Sequence, residues 1–499
     1  MKKLLLGLLG AFLLLVVVLV LRTVTASSLQ PSAGTPTDRV GALDANALAA
    51  RLGEAVRFQT VAGTPEEGYD AEPFEGFHAW MQDRFPATHT GLKREVVAGH
   101  SLLYTWKGLD PTLPPIVLVA HQDVVPVGDD TLGDWTHSPW SGEVQDGWIW
   151  GRGTLDDKVA VVGILEAVEA LWASGFQPAR TVYLAFGHDE EVSGTGALAL
   201  SGLLRERGVS PLFVLDEGLA VTHGIVPGLD APAALVGLAE KGYLTVELTA
   251  TGEGGHSSMP PAHTAVGVLA DAVTALEADP MPIHMDGPLA HMFSWLGPEM
   301  GFGNKLVFRN LWLLGPVVKS KLASGLSTNA SIRTTTAVTM FDGGVKENVL
   351  PQSATAVVNF RLHPSDSRED VLKHVAQVAD PRGITVKPRA GLGGGEARVS
   401  SVESEGWRLV SSAVKTAFPD AHVAPGMSVG ATDARFYASL SDSVYRFSPI
   451  RLHKDTHDTG RIHGTDERVS VENYVEVVRF YAQLIVDAAS GEAPAPVPD

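Results

Sequence analysis

Five short segments carry residue types that could do chemistry. His121-Gln122-Asp123 closes the apolar run Pro115 to Ala120, an arrangement in which an imidazole holds a metal ion and the carboxylate two residues on orients the ring. The same His-x-Asp spacing recurs at His284 and His453, so alone it reads first as a satisfied surface or core histidine. Gly151-Arg152-Gly153-Thr154-Leu155-Asp156-Asp157-Lys158 is a glycine-flanked turn that opens a helix and presents two adjacent carboxylates. A cation relieves their repulsion; a helix start with acids near its positive dipole end is the simpler reading. Asp189-Glu190-Glu191 follows another apolar run, and contiguous acids at a buried strand end are costly unless cations or hydrogen bonds compensate them. One of these can be a ligand and its neighbour a base, while a solvated acidic turn is the alternative. Asp216, in Leu215-Asp216-Glu217-Gly218, repeats the strand-then-acid pattern, and His453, His457 and His463 cluster late in the chain, where spacing does not choose among them. Together, imidazoles and carboxylates at strand ends match what two hydrolytic metal ions need.

The absence of cysteine removes thiol catalysis and thiolate metal sites, leaving histidine and carboxylates as the strong ligands. Two other chemistries compete. Gly426-Met427-Ser428-Val429-Gly430 fits a nucleophile elbow, with Asp433 and His463 following in serine-hydrolase order. An elbow needs a preceding buried strand, however, and Pro425 adjoins this one. A membrane-tethered peptide-binding protein without catalysis is the non-enzymatic alternative.

The elements that must position these residues follow from the hydrophobic pattern. From residue 43 to 241, short β-branched runs alternate with helical stretches, the pattern of βαβ units. Pro115 to Ala120, Thr181 to Gly187 and Pro211 to Leu215 read as buried strands, and Lys158 to Ala173 as a helix. Ligands in such sheets bind beyond the carboxyl ends of the strands, where the acids and His121 fall. Residues 242–390 change character to half-exposed strands with a helix near Arg368 to Ala379, and residues 391–488 return to the first style. The fold class is therefore α/β, a mixed, mostly parallel sheet forming a catalytic domain, with a smaller α+β lid or dimerisation domain inserted.

The ends stand apart from this body. Leu4 to Leu21 is an uncharged apolar run after Lys2 and Lys3, long enough to span a bilayer. Residues 1–26 read as a signal anchor that keeps the N-terminus inside, or as a signal peptide cleaved after Val24-Thr25-Ala26. The catalytic body is then periplasmic or extracellular, membrane-anchored in the first case and secreted in the second. Residues 27–42 read as a linker and 489–499 as a disordered tail. With 499 residues and a net charge of −19, the chain has ample material for cores and is disfavoured as a nucleic-acid binder. Met281 to Leu314 is rich in large apolar residues, including Met292, Phe293, Trp295, Phe302, Phe308 and Trp312. They read as helix packing in the lid or at a dimer contact, with an acyl-chain pocket as the sharper alternative.

The ordered motifs His121-Gln122-Asp123, Gly151 to Lys158, Gly187 to Glu191, Leu215 to Gly218, Gly254 to Pro260 and Arg461 to Glu467 resemble those of the di-zinc aminoacylase and carboxypeptidase family. The likeness is nearest to carboxypeptidase S and the secreted N-acyl-amino-acid hydrolases. It implies two Zn2+ ions, with Co2+ or Mn2+ possible at such N/O sites. By this resemblance His121 and Asp216 bind one ion, Glu191 and His463 the other, and Asp156 bridges them. Glu190 is then the general acid/base acting on a metal-bridged hydroxide, and Asp123 orients His121. His256 of the inserted domain polarises the scissile carbonyl, often across a homodimer interface. Arg361, Asn329 and the loop Gly430-Ala431-Thr432-Asp433 hold the free carboxylate of a small peptide or N-acyl amino acid. The implied activity is hydrolysis of the amide bond beside that carboxylate, as a carboxypeptidase or N-acyl-amino-acid hydrolase.

Overall fold

The computed structural model describes residues 1–64, 68–389 and 397–490. Most of the expected tail, from residue 491, and the junction at 390/391 lie outside these residues.

An eight-stranded sheet organises the body. Its order is Lys93–Val97, Ser101–Trp106, Val182–Gly187, Ile116–His121, Phe213–His223, Val444–His453, Ala233–Glu240 and His422–Ser428. The strands from Val182–Gly187 to Val444–His453 run parallel, and antiparallel pairs flank them. Successive side chains of one strand enter opposite cores, the pleat at work. Ile116, Leu118 and Ala120 pack with Leu52, Val161, Leu165 and Val477 on one face. Val117 and Val119 pack with Leu200, Leu204 and Tyr437 on the other. The helix Lys158–Ala173 has the bounds its apolar spacing gives, and Val471–Ala489 covers the same face.

Two strands run further than their apolar stretches suggest. The run Pro211 to Leu215 belongs to a strand that continues through its acids to His223. Gly218, at φ +144°, lets it pass, since a Cβ there meets that of Arg446 at 2.8 Å. His422–Ser428 runs through Pro425 at the sheet's edge, where a missing N–H costs no ladder bond. A buried strand thus does precede Ser428, contrary to the expectation drawn from that proline.

Between the two parts of the body, Thr335–Gly343, Ser353–Leu362, Gly242–Thr251 and Thr385–Pro388 form an antiparallel sheet in that order. One face packs against the helices Ala265–Ala278 and Arg368–Ala379 through Leu248, Leu269, Val358, Phe360 and Val375. Its edge strand Thr335–Gly343 leaves Met340 and Phe341 exposed. The helices Gly287–Leu296 and Phe302–Arg309 and the start of Leu311–Ala323 occupy the apolar stretch, and a short helix, Leu326–Ala330, follows it. Lys241 pins the junction, its Nζ donating to the carbonyls of Ala330 and Arg333 at 2.9 Å each and to Thr335 Oγ1 at 3.1 Å.

The apolar helix Lys2–Val24 leaves its apolar run unburied and meets the body at its C-terminal end, where Thr23 is buried against Asn310. The segment after it is bound along the body rather than hanging free. Gln30 exchanges two hydrogen bonds with the backbone of Val423, Gly34 N–H donates to Thr416 Oγ1, and Thr37 N–H donates to Gln483 Oε1.

Candidate metal centre

His121 ends its strand fully buried, and its two ring nitrogens meet different partners. Nδ1 faces Asp123, 3.0 Å from the carbonyl oxygen and 3.3 Å from Oδ1. Nδ1 is thereby fixed as the protonated nitrogen, and the Nε2 lone pair is free to bind a cation. Nε2 lies 2.9 Å from Asp156 Oδ1 and 3.6 Å from Glu217 Oε1. On the other side, His463 Nε2 lies 3.1 Å from both Asp156 Oδ2 and Glu191 Oε1. The Asp156 carboxylate therefore offers one oxygen to each imidazole, the disposition of a bridging ligand.

Buried acids elsewhere in the cluster hold this geometry. Asp123 accepts the backbone N–H groups of Glu190 and Glu191 at 3.1 and 3.0 Å, so it positions the acids as well as His121. Asp189, the first acid of its triplet, faces away. It accepts from Ser193 Oγ, Thr195 N–H and Gly196 N–H, closing the turn into the helix Thr195–Glu206. Burial raises its pKa, but those hydrogen bonds hold it below the usual range. Glu467 shapes the turn that carries Asp156, accepting the N–H groups of Gly153, Leu155 and Asp156 while paired with Arg152. It falls four residues after His463, and its type and place, not any spacing rule, are the signal that points to it.

Asp216 does not reach the imidazole. Its Oδ1 accepts Glu217 N–H at 2.9 Å and its Oδ2 accepts Ala434 N–H at 2.6 Å. The place expected for Asp216 beside His121 is taken by Glu217, one residue on and therefore on the other side of the strand. Asp157 completes the cluster, its Oδ2 accepting His121 N–H at 3.2 Å while its buried Oδ1 has no hydrogen-bond partner among the described residues.

The charges show what the cluster lacks. Burial raises the pKa values of Glu190, Asp157, Glu217 and Asp433 well above the carboxylate range, and neighbouring acids add to the shift. Asp156 and Glu191 push His463 up to about 10. Burial opposes the same change at His121, yet Glu217, Asp123 and Asp156 raise it well above its ordinary value. Imidazoles driven to bind protons by surrounding carboxylates mark a site that calls for positive charge. Two imidazole nitrogens with the carboxylates of Asp156, Glu191 and Glu217, and the unpartnered buried Oδ1 of Asp157 beside them, fit a pair of divalent cations.

The cluster opens on a cavity of about 1020 Å3, lined at its floor by Glu190, Glu191 and His463 and on the inserted domain by Tyr243 and Arg361. Glu190 Oε1 lies 3.7 Å from Arg435 Nη1. Arg361 stacks over Tyr243, 4.8 Å from the ring centroid, and among the described residues no carboxylate pairs with it. Gly430 lines the cavity, but Thr432 and Asp433 do not. Thr432 donates through N–H and Oγ1 to Glu240, and Asp433 is 1% exposed, so neither can touch a substrate there. Asn329, in Leu326–Ala330, is not among the lining residues either. His256 lies exposed on a two-residue strand, bonded to Ser258, and this chain does not bring it to its own cavity.

The remaining candidates separate cleanly. Of the late histidines, His453 stacks on His223 and only His463 faces the acids. Ser428 donates to the Gly430 carbonyl, the Asp433 carboxylate has no hydrogen-bond partner among the described residues, and His463 is engaged elsewhere, so no serine relay forms. Phe293 stacks on Phe308 and Trp295 meets Trp407 edge-on, which accounts for much of the apolar stretch as packing; none of its residues lines the cavity.

Residues 117–487 match the model of peptidase family M20/M25/M40. The chain is 40% identical to a probable carboxypeptidase S-like 2 of Dictyostelium discoideum, over 94% of this chain and 91% of that protein. It is 41% identical to the N-fatty-acyl-amino acid synthase/hydrolase PM20D1 of Xenopus tropicalis, over 90% and 87% of the two chains. Its fold is similar to the crystal structure of an M20 family metallo-carboxypeptidase, Sso-CP2 from Sulfolobus solfataricus, with a TM-score of 0.62 at 18% identity, covering 88% of this chain and 98% of that one.

Proposed function

Because the chain belongs to peptidase family M20/M25/M40 and is an amide-bond hydrolase of that kind, we propose that it cleaves the amide beside a free carboxylate in N-acyl amino acids or short peptides. The observation that carries this reading is the Asp156 carboxylate set between His121 and His463, at a cavity lined by Glu190 and Arg361. His121, Asp156, Glu191, Glu217 and His463 would hold two divalent cations, Zn2+ by the chemistry of the donors. Bound there, such ions acidify a water molecule and polarise a carbonyl.

The protein's own groups supply the rest. Asp123 fixes the His121 ring and the backbone of Glu190, so the base is set by a rigid frame. Glu190 takes the proton of the attacking water and returns it to the leaving nitrogen. Arg361 reads the free carboxylate, which excludes cleavage inside a long chain. His256 acts from a second copy of the chain, joined through the exposed edge strand Thr335–Gly343, and stabilises the developing oxyanion. Residues 43–241 and 391–488 form the catalytic body and 242–390 the lid. Lys2–Val24 is a signal anchor that holds the body outside the membrane.

The relatives' names favour two substrate classes, and one experiment separates them. Purified protein with measured metal content is assayed against dipeptides and against N-acyl amino acids of increasing chain length, alongside Glu190→Gln. Hydrolysis of either class, lost in a variant that keeps its metal, supports the reading. Full turnover by metal-replete Glu190→Gln, or activity in metal-free protein, refutes it.

A further inference from the structure

The first two turns of the helix Leu311–Ala323, residues 311–318, are apolar on both sides. Leu311, Val318 and Leu322 pack inward against the cluster of Leu289, Phe293 and Ile332. Trp312, Leu313 and Val317 point outward and are 57, 40 and 68% exposed, and Phe302, at the start of the preceding helix, is 57% exposed. A helical stretch apolar on both sides belongs where both meet non-aqueous surroundings.

Its position says what covers the outer side. Asn310, which joins Phe302–Arg309 to Leu311–Ala323, donates from Nδ2 to the Leu19 carbonyl at 3.3 Å, and Arg22 Nε donates to the Arg309 carbonyl at 3.4 Å. Lys2–Val24 is ~35 Å long at ~1.5 Å per residue, against ~30 Å for a bilayer's hydrocarbon core. Leu19 lies within the last two turns of that helix, so Asn310 sits at the level where acyl chains give way to headgroups. The charge there is one-signed. From Met300 to Phe341 there is no acidic residue, while Lys305, Arg309, Lys319 and Lys321 fall on or beside these helices, in a chain whose net charge is −19. Basic side chains beside exposed tryptophan and phenylalanine are the composition of helices that lie in a membrane interface.

We propose that the outer face of Leu311–Ala323, with Phe302, docks on an anionic phospholipid bilayer as a second membrane contact beside the N-terminal helix. The proposal rests on the reading of Lys2–Val24 as a bilayer span.

Because the chain has no cysteine, single nitroxide labels can be placed at Leu13→Cys, Val317→Cys and Val345→Cys in the full-length protein. The protein is reconstituted in discs of phosphatidylcholine and phosphatidylglycerol, and collisions of each label with oxygen and with a water-soluble nickel chelate are compared. Labels at 13 and 317 are expected to favour oxygen several-fold, and the label at 345, a residue 94% exposed, to favour nickel. Replacing Lys319 and Lys321 by Glu should move the label at 317 toward water and leave that at 13 unchanged. A label at 317 as open to nickel as that at 345, with 13 in lipid, overturns the docking alone. A label at 13 in water overturns the span and the docking with it. Protection of 317 from both reagents, with dipolar broadening between copies, shows a protein partner and also overturns the proposal.

Discussion

The Asp123 carboxylate grips Glu190 by its backbone, Oδ1 accepting the Glu190 N–H at 3.1 Å, while the same oxygen lies 3.3 Å from His121 Nδ1. One buried side chain thus sets both the tautomer of His121, the proposed ligand, and the place of Glu190, the proposed base. Asp123→Asn turns an amide NH2 toward groups that are themselves donors. Activity or metal affinity should fall about 10- to 100-fold, the usual cost of losing such support. Titration of metal into apo-protein, run beside steady-state kinetics, checks this.

Glu217 and Asp216 make a paired test of the ligand set. Glu217→Gln removes a carboxylate that faces His121, and metal content measured after dialysis should drop toward about one ion per chain. Asp216→Asn should retain its metal and instead lose about 1–3 kcal/mol of stability, because its oxygens accept two buried N–H groups. The opposite outcome in elemental analysis would return the ligand role to Asp216.

Arg361 bears on specificity. Its guanidinium has no carboxylate partner among the described residues and faces the cavity. Loss of a charge-assisted contact worth about 1.5–3 kcal/mol should raise KM about 10- to 100-fold in Arg361→Ala. Substrates whose carboxylate has been amidated should be poor for the parent protein and unaffected by the substitution. An equal effect on both forms would place the carboxylate elsewhere.

The inserted domain carries its own response to acid. Burial, then the adjoining His284 ring, pushes His363 down to about 4, and the imidazole is 1% exposed. Its folded pKa lies below the unfolded value of about 6.5, so the unfolded chain binds the extra proton. The associated stability is present above pH ~6.5 and drains away as pH falls toward ~4, amounting to about 2 kcal/mol at pH ~5. Denaturant unfolding at neutral and acid pH should show this loss, and His363→Asn should flatten it by about one proton.

Much of this was legible before any coordinates. The helix Lys158–Ala173 and the strand ends bearing His121 and Glu190 follow from apolar runs bounded by turns, because burial on both faces leaves little choice of residue. Side-chain direction was less accessible. Leu215-Asp216-Glu217-Gly218 announces two acids, but which faces the imidazole depends on the parity of a strand that extends past them. Thr432 and Asp433 sit in a loop that reads as substrate-facing until Glu240, nearly two hundred residues earlier, is seen to draw Thr432 inward. The Pro425 strand was hidden by a rule that holds for central strands and lapses at an edge. Residues 30–37 have a linker's composition, and only partners such as Gln483 and Val423 show that they adhere to the body.

The bond from Leu155 N–H to Glu467 spans 312 positions of the chain. A ribosome therefore finishes nearly the whole polypeptide before the turn bearing Asp156 can take its final shape. A chain cut short ahead of Glu467 leaves the N–H groups of Gly153, Leu155 and Asp156 without that acceptor, however well its earlier portions fold.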